Sequence, residues 1–501
     1  MTNTVKNAAM NIIGLSEDGV DTFLGIPYAE PPVGDLRFAP PVAKKPWTTT
    51  LDCTKPGNAA VQTPLLVGAD TPVSEDCLYL NIWKPSAAKE GDNLPVYFWI
   101  HGGGWCYGSG NQALYDGNRF AKEGVIVVTI NYRLGGLGFL ALDTLMKKYG
   151  TAGNWATLDQ IMALQWVNDN IAKFGGNPHN ITIGGESAGS FSTFALVMSP
   201  KTKGLFQKAI MESGAITYIL KTKMRLDKAI EIGKQIAAHF GADDSEEGLA
   251  KLRKVDAMEL WKATELNLAD IMEGAPFQTY PVYDGVVLPL NDPYQALKDG
   301  NFNKDISVII GNNHREGPLF VFNNINTLTQ EKFNTFVRQV FRPECAQEVI
   351  DHYEAVIDHT LVEKAGGMLG MTLIILGATE AQRYLAKAGT PVFAYEFDYV
   401  DESGVAQLHA SEMTYAFGQK TNMSGTPFTG NDLIVRDTMH GYWVNFIKTG
   451  TPNGIGLVEW PTYAEGTKTI MRFDKTNYLI ERSDQEALDF LKPRYFNNYT
   501  K

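Results

Sequence analysis

Short apolar runs alternate along the chain with longer stretches in which apolar and charged residues recur at helical spacing. Five of the short runs are predicted to be strands: residues 95–100, 125–130, 180–184, 306–310 and 392–399. Strands that are separated by helical stretches favour a mainly parallel sheet covered by helices. The pattern therefore predicts an α/β fold, with a central sheet that carries helices on both faces.

Two longer helical insertions interrupt this alternation, at about residues 221–299 and 330–389. Insertions of this kind commonly cover an active site in an open α/β sheet, and a merely structural role fits the pattern equally well. The chain contains no internal repeat, no low-complexity segment and no linker rich in Pro, Gly and Ser. Residues 1–501 are therefore expected to form one domain with two lid-like insertions.

Composition excludes several classes of function. The 501 residues are 44% hydrophobic and 20% charged, as in soluble globular proteins. A formal net charge of −12 argues against a nucleic-acid partner. The longest uncharged run, residues 93–115, is apolar only in its first third, and the uncharged run 365–379 suits a buried helix better than a span. No membrane span is expected.

The N-terminal residues and the cysteines bear on location. Asn3, Asn7 and Asn11 occur where a secretion signal would need unbroken apolar residues. A cytoplasmic location is expected, and secretion after removal of a signal is the alternative. No C-x-x-C pair is formed by the four cysteines, so free thiols are expected at Cys53, Cys77, Cys106 and Cys345. No H-E-x-x-H occurs either, and neither a metal nor another cofactor is predicted.

The strongest local signal is the G-x-S-x-G segment of residues 185–189, which follows a predicted strand and opens a helical stretch. A serine on a sharp turn from strand to helix is forced outward, and small residues two positions before and after it let the turn pack tightly. Ser187 is therefore the candidate nucleophile. A serine that only caps the helix is the alternative.

Three consecutive glycines follow the predicted strand 95–100, in the segment HGGGW of residues 101–105. Glycines let the backbone approach a substrate closely and point N–H groups at it. Such donors, together with the N–H of Ala188, would stabilise the negative charge that develops on a carbonyl oxygen during acyl transfer. A glycine-rich turn without a ligand is the alternative for HGGGW taken alone.

The base and the acid are sought in the order serine, acid, histidine. His409 follows the last predicted strand by a short loop, where the base is expected, whereas His314 lies too near the candidate acid. Glu316 follows the predicted strand 306–310 and is the first candidate for the acid. Four other histidines lie within helical patterns, where packing or surface roles are the default: His239, His352, His359 and His440. Three other carboxylates stay open as the acid: Asp284, Asp398 and Asp401.

Longer segments carry a family resemblance: FLGIPYAEPPVGDLRFAPP (23–41), SEDCLYLNIWKP (74–85), NYRLGGLGFL (131–140), residues 158–190, HASEMTYAFG (409–418) and WVNFIKTGTPNG (443–454). Over nearly its whole length the chain resembles the type-B carboxylesterases, which include bacterial carboxylesterases, liver carboxylesterases and cholinesterases. It is most similar to the bacterial members. The resemblance implies the α/β-hydrolase fold and hydrolysis of carboxylic esters.

The resemblance also implies roles for individual residues. The nucleophile falls on Ser187, and the base falls on His409, which opens an H-x-x-E segment. The acid is the glutamate of a D-E-G tripeptide, which here reads Arg315-Glu316-Gly317. The oxyanion donors of the family fall on Gly103, Gly104 and Ala188.

Three departures from the family pattern change what is expected. Arg315 replaces an acidic residue, which favours the ionised form of Glu316 or redirects a local salt bridge. The usual partner position of Cys77 is Ala60, so the early disulfide of the family is expected to be absent. The loop 60–74 contains no tryptophan to hold a quaternary ammonium group, so cholinesterase activity is not expected.

The sequence therefore predicts a serine ester hydrolase that cleaves small to medium esters through an acyl-enzyme. Trp105, Leu319 and Phe320 are candidate residues of an apolar substrate pocket, and ordinary core packing is an equal alternative for the last two. The expected partner is a small-molecule ester, and a monomer is favoured. A specialised feruloyl, carbamate or lipase-type esterase and a non-catalytic binding or adhesion protein are the alternatives.

Overall fold

The computed structural model describes residues 3–216, 223–265, 277–289, 293–321, 328–355, 359–404, 408–464, 469–482 and 484–496. The strands in these ranges are β1 (Asn3–Asn7), β2 (Ile12–Glu17), β3 (Val20–Pro27), β4 (Leu51–Asp52), β5 (Tyr79–Pro85), β6 (Leu94–Ile100), β7 (Ile126–Ile130), β8 (Gly176–Glu186), β9 (Lys208–Glu212), β10 (Ser307–Asn313), β11 (Val392–Phe397), β12 (Thr469–Phe473) and β13 (Tyr478–Glu481). They form one sheet in the order β1-β2-β3-β5-β7-β6-β8-β9-β10-β11-β12-β13, with β4 paired to β2.

The middle of this sheet is parallel and its two ends are antiparallel. Every pairing from β7 through β6, β8, β9, β10 and β11 to β12 is parallel, while β1, β2, β3 and β5 add antiparallel strands at one end and β13 adds one at the other. The predicted mainly parallel sheet is confirmed. Parallel strands place all their carboxyl ends at one edge, which is where loops with functional side chains meet in open α/β sheets.

Strand β6 shows why the sheet has a core on each face. Val96, Phe98 and Ile100 belong to one buried apolar cluster, and Tyr97 and Trp99 belong to the other. Successive side chains of a strand point to opposite faces, so an unbroken apolar run feeds two cores at once. All five residues are fully buried, as a strand inside a sheet covered on both sides requires.

Helices cover both faces, as predicted. Helices α4 and α5 contribute to the cluster that contains Phe98, and helices α1 and α15 contribute to the cluster that contains Trp99. The described helices are α1 (Asn118–Lys122), α2 (Gly135–Phe139), α3 (Asp143–Tyr149), α4 (Trp155–Asn170), α5 (Ala188–Met198), α6 (Leu226–His239), α7 (Glu246–Leu252), α8 (Ala257–Ala263), α9 (Pro293–Lys298), α10 (Gln330–Val340), α11 (Pro343–Ala355), α12 (Leu361–Gly370), α13 (Leu376–Lys387), α14 (Met413–Ala416), α15 (Gly430–Thr449) and α16 (Gln485–Phe496).

All five predicted strands exist, as β6, β7, β8, β10 and β11. Strand β8 is longer than predicted at both ends, because residues 176–179 precede the predicted run 180–184 and residues 185–186 follow it. Strand β9 was missed, although it lies between β8 and β10 in the centre of the sheet. Its five residues are all buried, and the charged residues Lys208 and Glu212 at its two ends leave only three apolar positions.

The two predicted insertions are largely helical in their described parts, and residues 277–289 are the main described stretch without a helix. Helices α6 to α9 lie in the first, of which residues 221–222, 266–276 and 290–292 fall outside the described residues, and helices α10 to α13 lie in the second, of which residues 356–358 do so. Helix α12 runs through a π-helical turn, Met371–Ile375, into α13, so residues 361–387 form one helix.

This long helix is the only described one that could cross a membrane by length and composition. Its most apolar window is 72% buried inside the protein. The prediction that residues 365–379 form a buried helix is therefore confirmed, and the burial is typical of a core helix.

A pair of glycines in this helix tests how closely it packs on the segment that follows strand β9. A Cβ on Gly377 would lie 1.6 Å from the carbonyl oxygen of Ile216, whereas a Cβ on the exposed Gly367 would meet nothing within 4 Å. We expect Gly377→Ala to lower the free energy of unfolding by about 3 kcal/mol through overpacking. We expect Gly367→Ala to raise it by about 0.5–1 kcal/mol through helix propensity. Chemical denaturation of both variants measures the difference, and equal effects would contradict the packing.

Candidate active site

Ser187 occupies the single residue between strand β8 and helix α5. Its φ of 54° and ψ of −124° lie in a region that non-glycine residues seldom adopt, so surrounding packing must hold it there. A Cβ on Gly185 would lie 2.4 Å from the carbonyl carbon of Gly189, and one on Gly189 would lie 2.0 Å from the carbonyl oxygen of Ile100. The two glycines of G-x-S-x-G are therefore required by close backbone contacts on both sides of the serine.

The glycine loop after strand β6 lies directly against this turn. A Cβ on Gly102 would lie 3.3 Å from the Cβ of Ser187. Gly103 and Gly104 have φ values of +100° and +63°, which favour glycine, and together they turn the chain beside the serine. Ala188 is the first residue of helix α5, where backbone N–H groups have no acceptor within the helix. The structure therefore places Gly102 against the serine, with Gly103 and Gly104 next in the same loop and Ala188 directly after the serine.

His101 supports the same loop from below. Its ring stacks on Tyr132 at 4.3 Å between centroids, and its Nδ1 lies 2.8 Å from the carbonyl oxygen of Gly102. The hydroxyl of Tyr132 donates to the carbonyl oxygen of His101 at 2.8 Å. Burial lowers the pKa of His101 to about 4, against a smaller opposite effect of the Gly102 contact. The ring is therefore neutral at neutral pH and holds the backbone in place.

His409 and Glu316 are in direct contact, although they lie on different loops at the carboxyl end of the sheet. Nδ1 of His409 is 2.5 Å from Oε2 of Glu316, and both residues are buried. The other carboxylate oxygen, Oε1, accepts a hydrogen bond from the backbone N–H of Asn313 at 2.7 Å. Glu316 is held by the end of strand β10 and fixes one nitrogen of the imidazole.

The loop of Glu316 packs on the second insertion. Glu316 begins a short 3₁₀ turn, Gly317–Phe320. A Cβ on Gly317 would lie 1.5 Å from the carbonyl oxygen of Gly366 in helix α12, and one on Gly370 would lie 3.2 Å from the Cβ of Glu316. The close contact between the Gly317 loop and helix α12 therefore fixes the position of the Glu316 carboxylate relative to the sheet.

The second imidazole nitrogen faces Glu186, the residue before the serine. Nε2 of His409 lies 3.1 Å from Oε1 of Glu186, and neither atom makes a hydrogen bond to a residue that the structure describes. Burial raises the pKa of the Glu186 carboxyl to about 8. Burial of His409 lowers its pKa, but the charges of Glu186 and Glu316 outweigh that effect and raise the pKa to about 9.

Glu412 and Asn313 join the loops that carry Glu316 and His409. Oε2 of Glu412 accepts a hydrogen bond from Nδ2 of Asn313 at 2.5 Å, and the same amide group donates to the carbonyl oxygen of Leu408 at 3.0 Å. Oε1 of Glu412 accepts from the hydroxyl of Ser213 at 3.0 Å. Burial, reinforced by the charge of Glu316, raises the pKa of Glu412 to about 7.

Sequence reasoning did not assign these supporting residues. The H-x-x-E segment showed that Glu412 lies three residues after His409, but it predicted no contact for Glu412. Nothing in the sequence pointed to Asn313 except its position just after a predicted strand.

A further buried carboxyl, Glu212, accepts from the indole N–H of Trp443 at 2.8 Å, and burial raises its pKa well above the ordinary value.

The rival acids and bases are occupied elsewhere. Asp284 accepts backbone N–H groups from the bend that follows it, Asp398 pairs with Arg472, and Asp401 accepts from Ser403 and Asn422. Among the histidines, His239 ends α6, His314 faces Glu396, His352 stacks on Phe490 and His440 contacts Glu123. The helical prediction for His359 is wrong, because it lies in a bend just before helix α12.

Comparisons with known proteins decide the family. The sequence profile described as the carboxylesterase family matches residues 8–491. The chain belongs to the carboxylesterase family. It is 35% identical to the para-nitrobenzyl esterase of Bacillus subtilis (strain 168) over 491 residues, which cover 96% of each chain. It is 33% identical to the cocaine esterase of Homo sapiens over 496 residues, which cover 92% of this chain and 85% of that relative.

Solved structures of carboxylesterases agree with this assignment. A structure named PNB esterase superposes with a TM-score of 0.84 at 33% identity, covering 96% of this chain and 97% of that one. A carboxylesterase of Geobacillus stearothermophilus gives 0.83 at 32% identity, covering 96% and 98%. The chain is therefore an α/β-hydrolase and a serine hydrolase of carboxylic esters, as predicted.

Two departures noted in the sequence can be located in this carboxylesterase. All four cysteines are free and buried, so the expected absence of a bridge at Cys77 is confirmed. Arg315 is exposed, whereas the neighbouring Glu316 is buried against His409. The predicted effect of Arg315 on the acid stays a prediction.

One group of potential metal ligands occurs among the described residues. Ligand atoms of His314, Glu396 and Asp398 all lie within 4.8 Å of one another. Asp398 is already paired with the guanidinium of Arg472, which supplies a positive charge at this place. The group is an ion-pair cluster at the ends of strands β10 and β11.

The predicted pocket residues differ in their surroundings. Trp105 is buried, and its indole N–H donates to the hydroxyl of Ser192 at 3.0 Å. The ring of Phe320 is buried with its centroid 5.0 Å from that of His409. Leu319 is 39% exposed, so the alternative of core packing does not apply to it.

The carboxyl of Glu186 should set the pKa of His409. We expect Glu186→Gln to lower that pKa from about 9, because the substitution removes a negative charge that favours the imidazolium. Titration of the imidazole Cε1 resonance measures the change, with the resonance assigned by its loss in His409→Gln. Glu123→Gln is the matched control, since Glu123 contacts His440. An unchanged pKa in Glu186→Gln would contradict this electrostatic account.

Proposed function

We propose that this carboxylesterase cleaves small to medium esters through an acyl-enzyme, with Ser187 as nucleophile, His409 as general base and Glu316 as the orienting acid. The observation that carries the proposal is the contact between Nδ1 of His409 and Oε2 of Glu316. It commits Nδ1 to the carboxylate and leaves Nε2 as the nitrogen that takes a proton.

The first half of the reaction forms the acyl-enzyme. His409 Nε2 takes the hydroxyl proton of Ser187 while the serine oxygen attacks the ester carbonyl carbon and the carbonyl bond electrons move to its oxygen. The tetrahedral intermediate then collapses, the bond to the alkoxy oxygen breaks, and the alcohol leaves with the proton from His409. In the second half, water loses a proton to His409 as its oxygen attacks the acyl carbon. The second tetrahedral intermediate then collapses, the bond from the acyl carbon to the Ser187 oxygen breaks, and His409 returns the proton to that oxygen as the acid leaves.

The backbone N–H groups of Gly103, Gly104 and Ala188 are proposed to hold the oxyanion. Three observations support this role: Gly102 lies against Ser187, two glycines at positive φ turn the loop that follows, and α5 begins at Ala188. Fixed donors in a buried site need no reorganisation when charge develops, and one such donor contributes about 10²–10³ in rate.

The substrate class rests on the walls beside the triad. We propose that Trp105 and Phe320 line the acyl or alcohol side of an apolar pocket, with Leu319 at its exposed rim. The contact of Phe320 with His409 and the position of Trp105 after the oxyanion glycines support this. The name of the para-nitrobenzyl esterase of B. subtilis fits an ester of this size.

The state and location of the protein stay proposals. A monomer is proposed because all the site residues come from one chain. A reducing, cytoplasmic location is proposed because the four cysteines are free thiols.

Replacement of the nucleophile tests the mechanism. We expect Ser187→Ala to lower kcat for p-nitrophenyl acetate and butyrate by at least about 10⁴-fold, because the acyl-enzyme cannot form. Ser199→Ala is the matched control at the other end of helix α5, where the hydroxyl donates to the carbonyl oxygen of Val287 at 2.6 Å. A fluorophosphonate probe should label the wild type and Ser199→Ala once per chain and Ser187→Ala not at all. Labelling of Ser187→Ala would refute the assignment.

A second pair of variants separates the candidate acids. We expect Glu316→Gln to lower kcat by up to about 10⁴-fold, because the amide cannot hold the imidazole in the required tautomer. Asp398→Asn removes a rival carboxylate that is paired with Arg472, and its kcat should stay within about twofold of the wild type. Steady-state kinetics with p-nitrophenyl butyrate compare the two. A larger loss in Asp398→Asn than in Glu316→Gln would transfer the role of the acid.

A further inference from the structure

Helix α8, in the first insertion, lies against the glycine loop. The indole N–H of Trp261 donates to the carbonyl oxygen of Cys106 at 2.8 Å, across 155 residues of sequence. The same ring meets that of Tyr107 edge-on, with 5.3 Å between centroids. The hydroxyl of Tyr107 donates to the carboxylate of Glu265, just beyond the helix. The first insertion therefore contacts the glycine loop at two consecutive residues, Cys106 and Tyr107.

Thr264, which ends helix α8, makes a second set of contacts. Its hydroxyl oxygen accepts the backbone N–H of Gly136 at 2.8 Å, and its carbonyl oxygen accepts from the thiol of Cys106 at 3.6 Å. The neighbouring N–H of Gly135 donates to the carbonyl oxygen of Trp105 at 2.8 Å. Helix α8, the start of helix α2 and the glycine loop thus form one hydrogen-bonded junction.

The anchored residues also determine the direction of one oxyanion donor. The carbonyl oxygen of Gly103 accepts the backbone N–H groups of Cys106 at 3.1 Å and Tyr107 at 2.9 Å. In a trans peptide the carbonyl and the following N–H point in opposite directions in one plane. Holding the Gly103 carbonyl towards Cys106 and Tyr107 therefore aims the N–H of Gly104 the opposite way.

We infer that Trp261 and Thr264 are positioning residues of the oxyanion hole, which act by fixing the peptide plane between Gly103 and Gly104. This inference rests on the proposed function, in which the Gly104 N–H stabilises the oxyanion. Both side chains are buried, and their polar atoms meet the loop or the helix that supports it. The first insertion is then part of the catalytic framework as well as a cover over the sheet.

Substitutions at Thr264 give the sharpest test. Thr264→Val keeps the shape of the side chain and leaves the N–H of Gly136 without its acceptor, whereas Thr264→Ser keeps the hydroxyl. We expect Thr264→Val to lower kcat for p-nitrophenyl butyrate by about tenfold to 100-fold. This loss is no larger than the loss expected when one oxyanion donor is removed completely. KM should stay within about threefold, and Thr264→Ser should stay within about twofold of the wild type in both constants.

Trp261→Phe tests the other contact. The ring against Tyr107 is retained, and the hydrogen bond to the carbonyl oxygen of Cys106 is lost, so a loss of kcat in the same range is expected. Lys262→Ala is the control on the same helix, because Lys262 is exposed and pairs with Glu259 at 3.1 Å. Its kcat should equal that of the wild type.

Affinity for a trifluoromethyl ketone separates positioning from mere support of the fold. Addition of the serine to such a ketone gives a tetrahedral adduct with an oxyanion, so its inhibition constant should rise by the same factor by which kcat/KM falls. Thermal midpoints of unfolding are measured beside the kinetics. Equal kcat in Thr264→Val and Thr264→Ser, or lower midpoints with unchanged kcat and inhibition, would overturn the inference.

The wild type and these variants also show whether the positioning inference alone is wrong or whether the proposed function is wrong too. Fluorophosphonate titration counts the reactive serines of each variant. If the wild type is labelled and active while the α8 variants match it, the positioning inference alone is wrong. If the wild type is neither labelled nor active, the proposed function is wrong as well.

Discussion

Close contact between glycine backbones at the carboxyl edge of the sheet is the constraint on which the site depends. Strand β8 passes into helix α5 through one residue, and the turn fits only because Gly185 and Gly189 bring no side chain between strands β6 and β8 and the helix. In this turn Ser187 adopts an unfavourable backbone conformation with a positive φ. The buried parallel sheet supplies the rigidity that holds a single strained residue in place.

The two insertions are attached to the site by contacts of the same kind. The loop of Glu316 approaches helix α12 closely at Gly317 and Gly366, and helix α8 donates a hydrogen bond to the carbonyl oxygen of Cys106 in the glycine loop. Each insertion therefore contacts one loop of the site, and Glu316 on one of these loops contacts His409. The two insertions, which the sequence suggested as lids over the site, also contact the loops that carry the site residues.

The sequence predicted the parts of the fold that local pattern determines. Strand β6 was evident from its unbroken apolar run, and Ser187 was evident from glycine spacing because the steric demand is local. Strand β9 was missed because Lys208 and Glu212 shorten its apolar run, although sheet neighbours bury both. The hydrogen bonds of Asn313 and Trp261 join segments about 100 and 155 residues apart, and no pattern within either segment records such a pairing.

The buried carboxyl groups around His409 have a consequence for the release of the cleaved acid. An ester group is uncharged, but the carboxylic acid formed from it ionises, so cleavage creates a charge that interacts with the carboxylates around His409. The pKa of Glu412 lies at about 7 and that of Glu186 at about 8, so the surroundings gain negative charge over the pH range that approaches deprotonation of the imidazole. At a pH at which His409 is deprotonated, these carboxylates therefore repel an ionised acid more strongly than they repel an uncharged ester group.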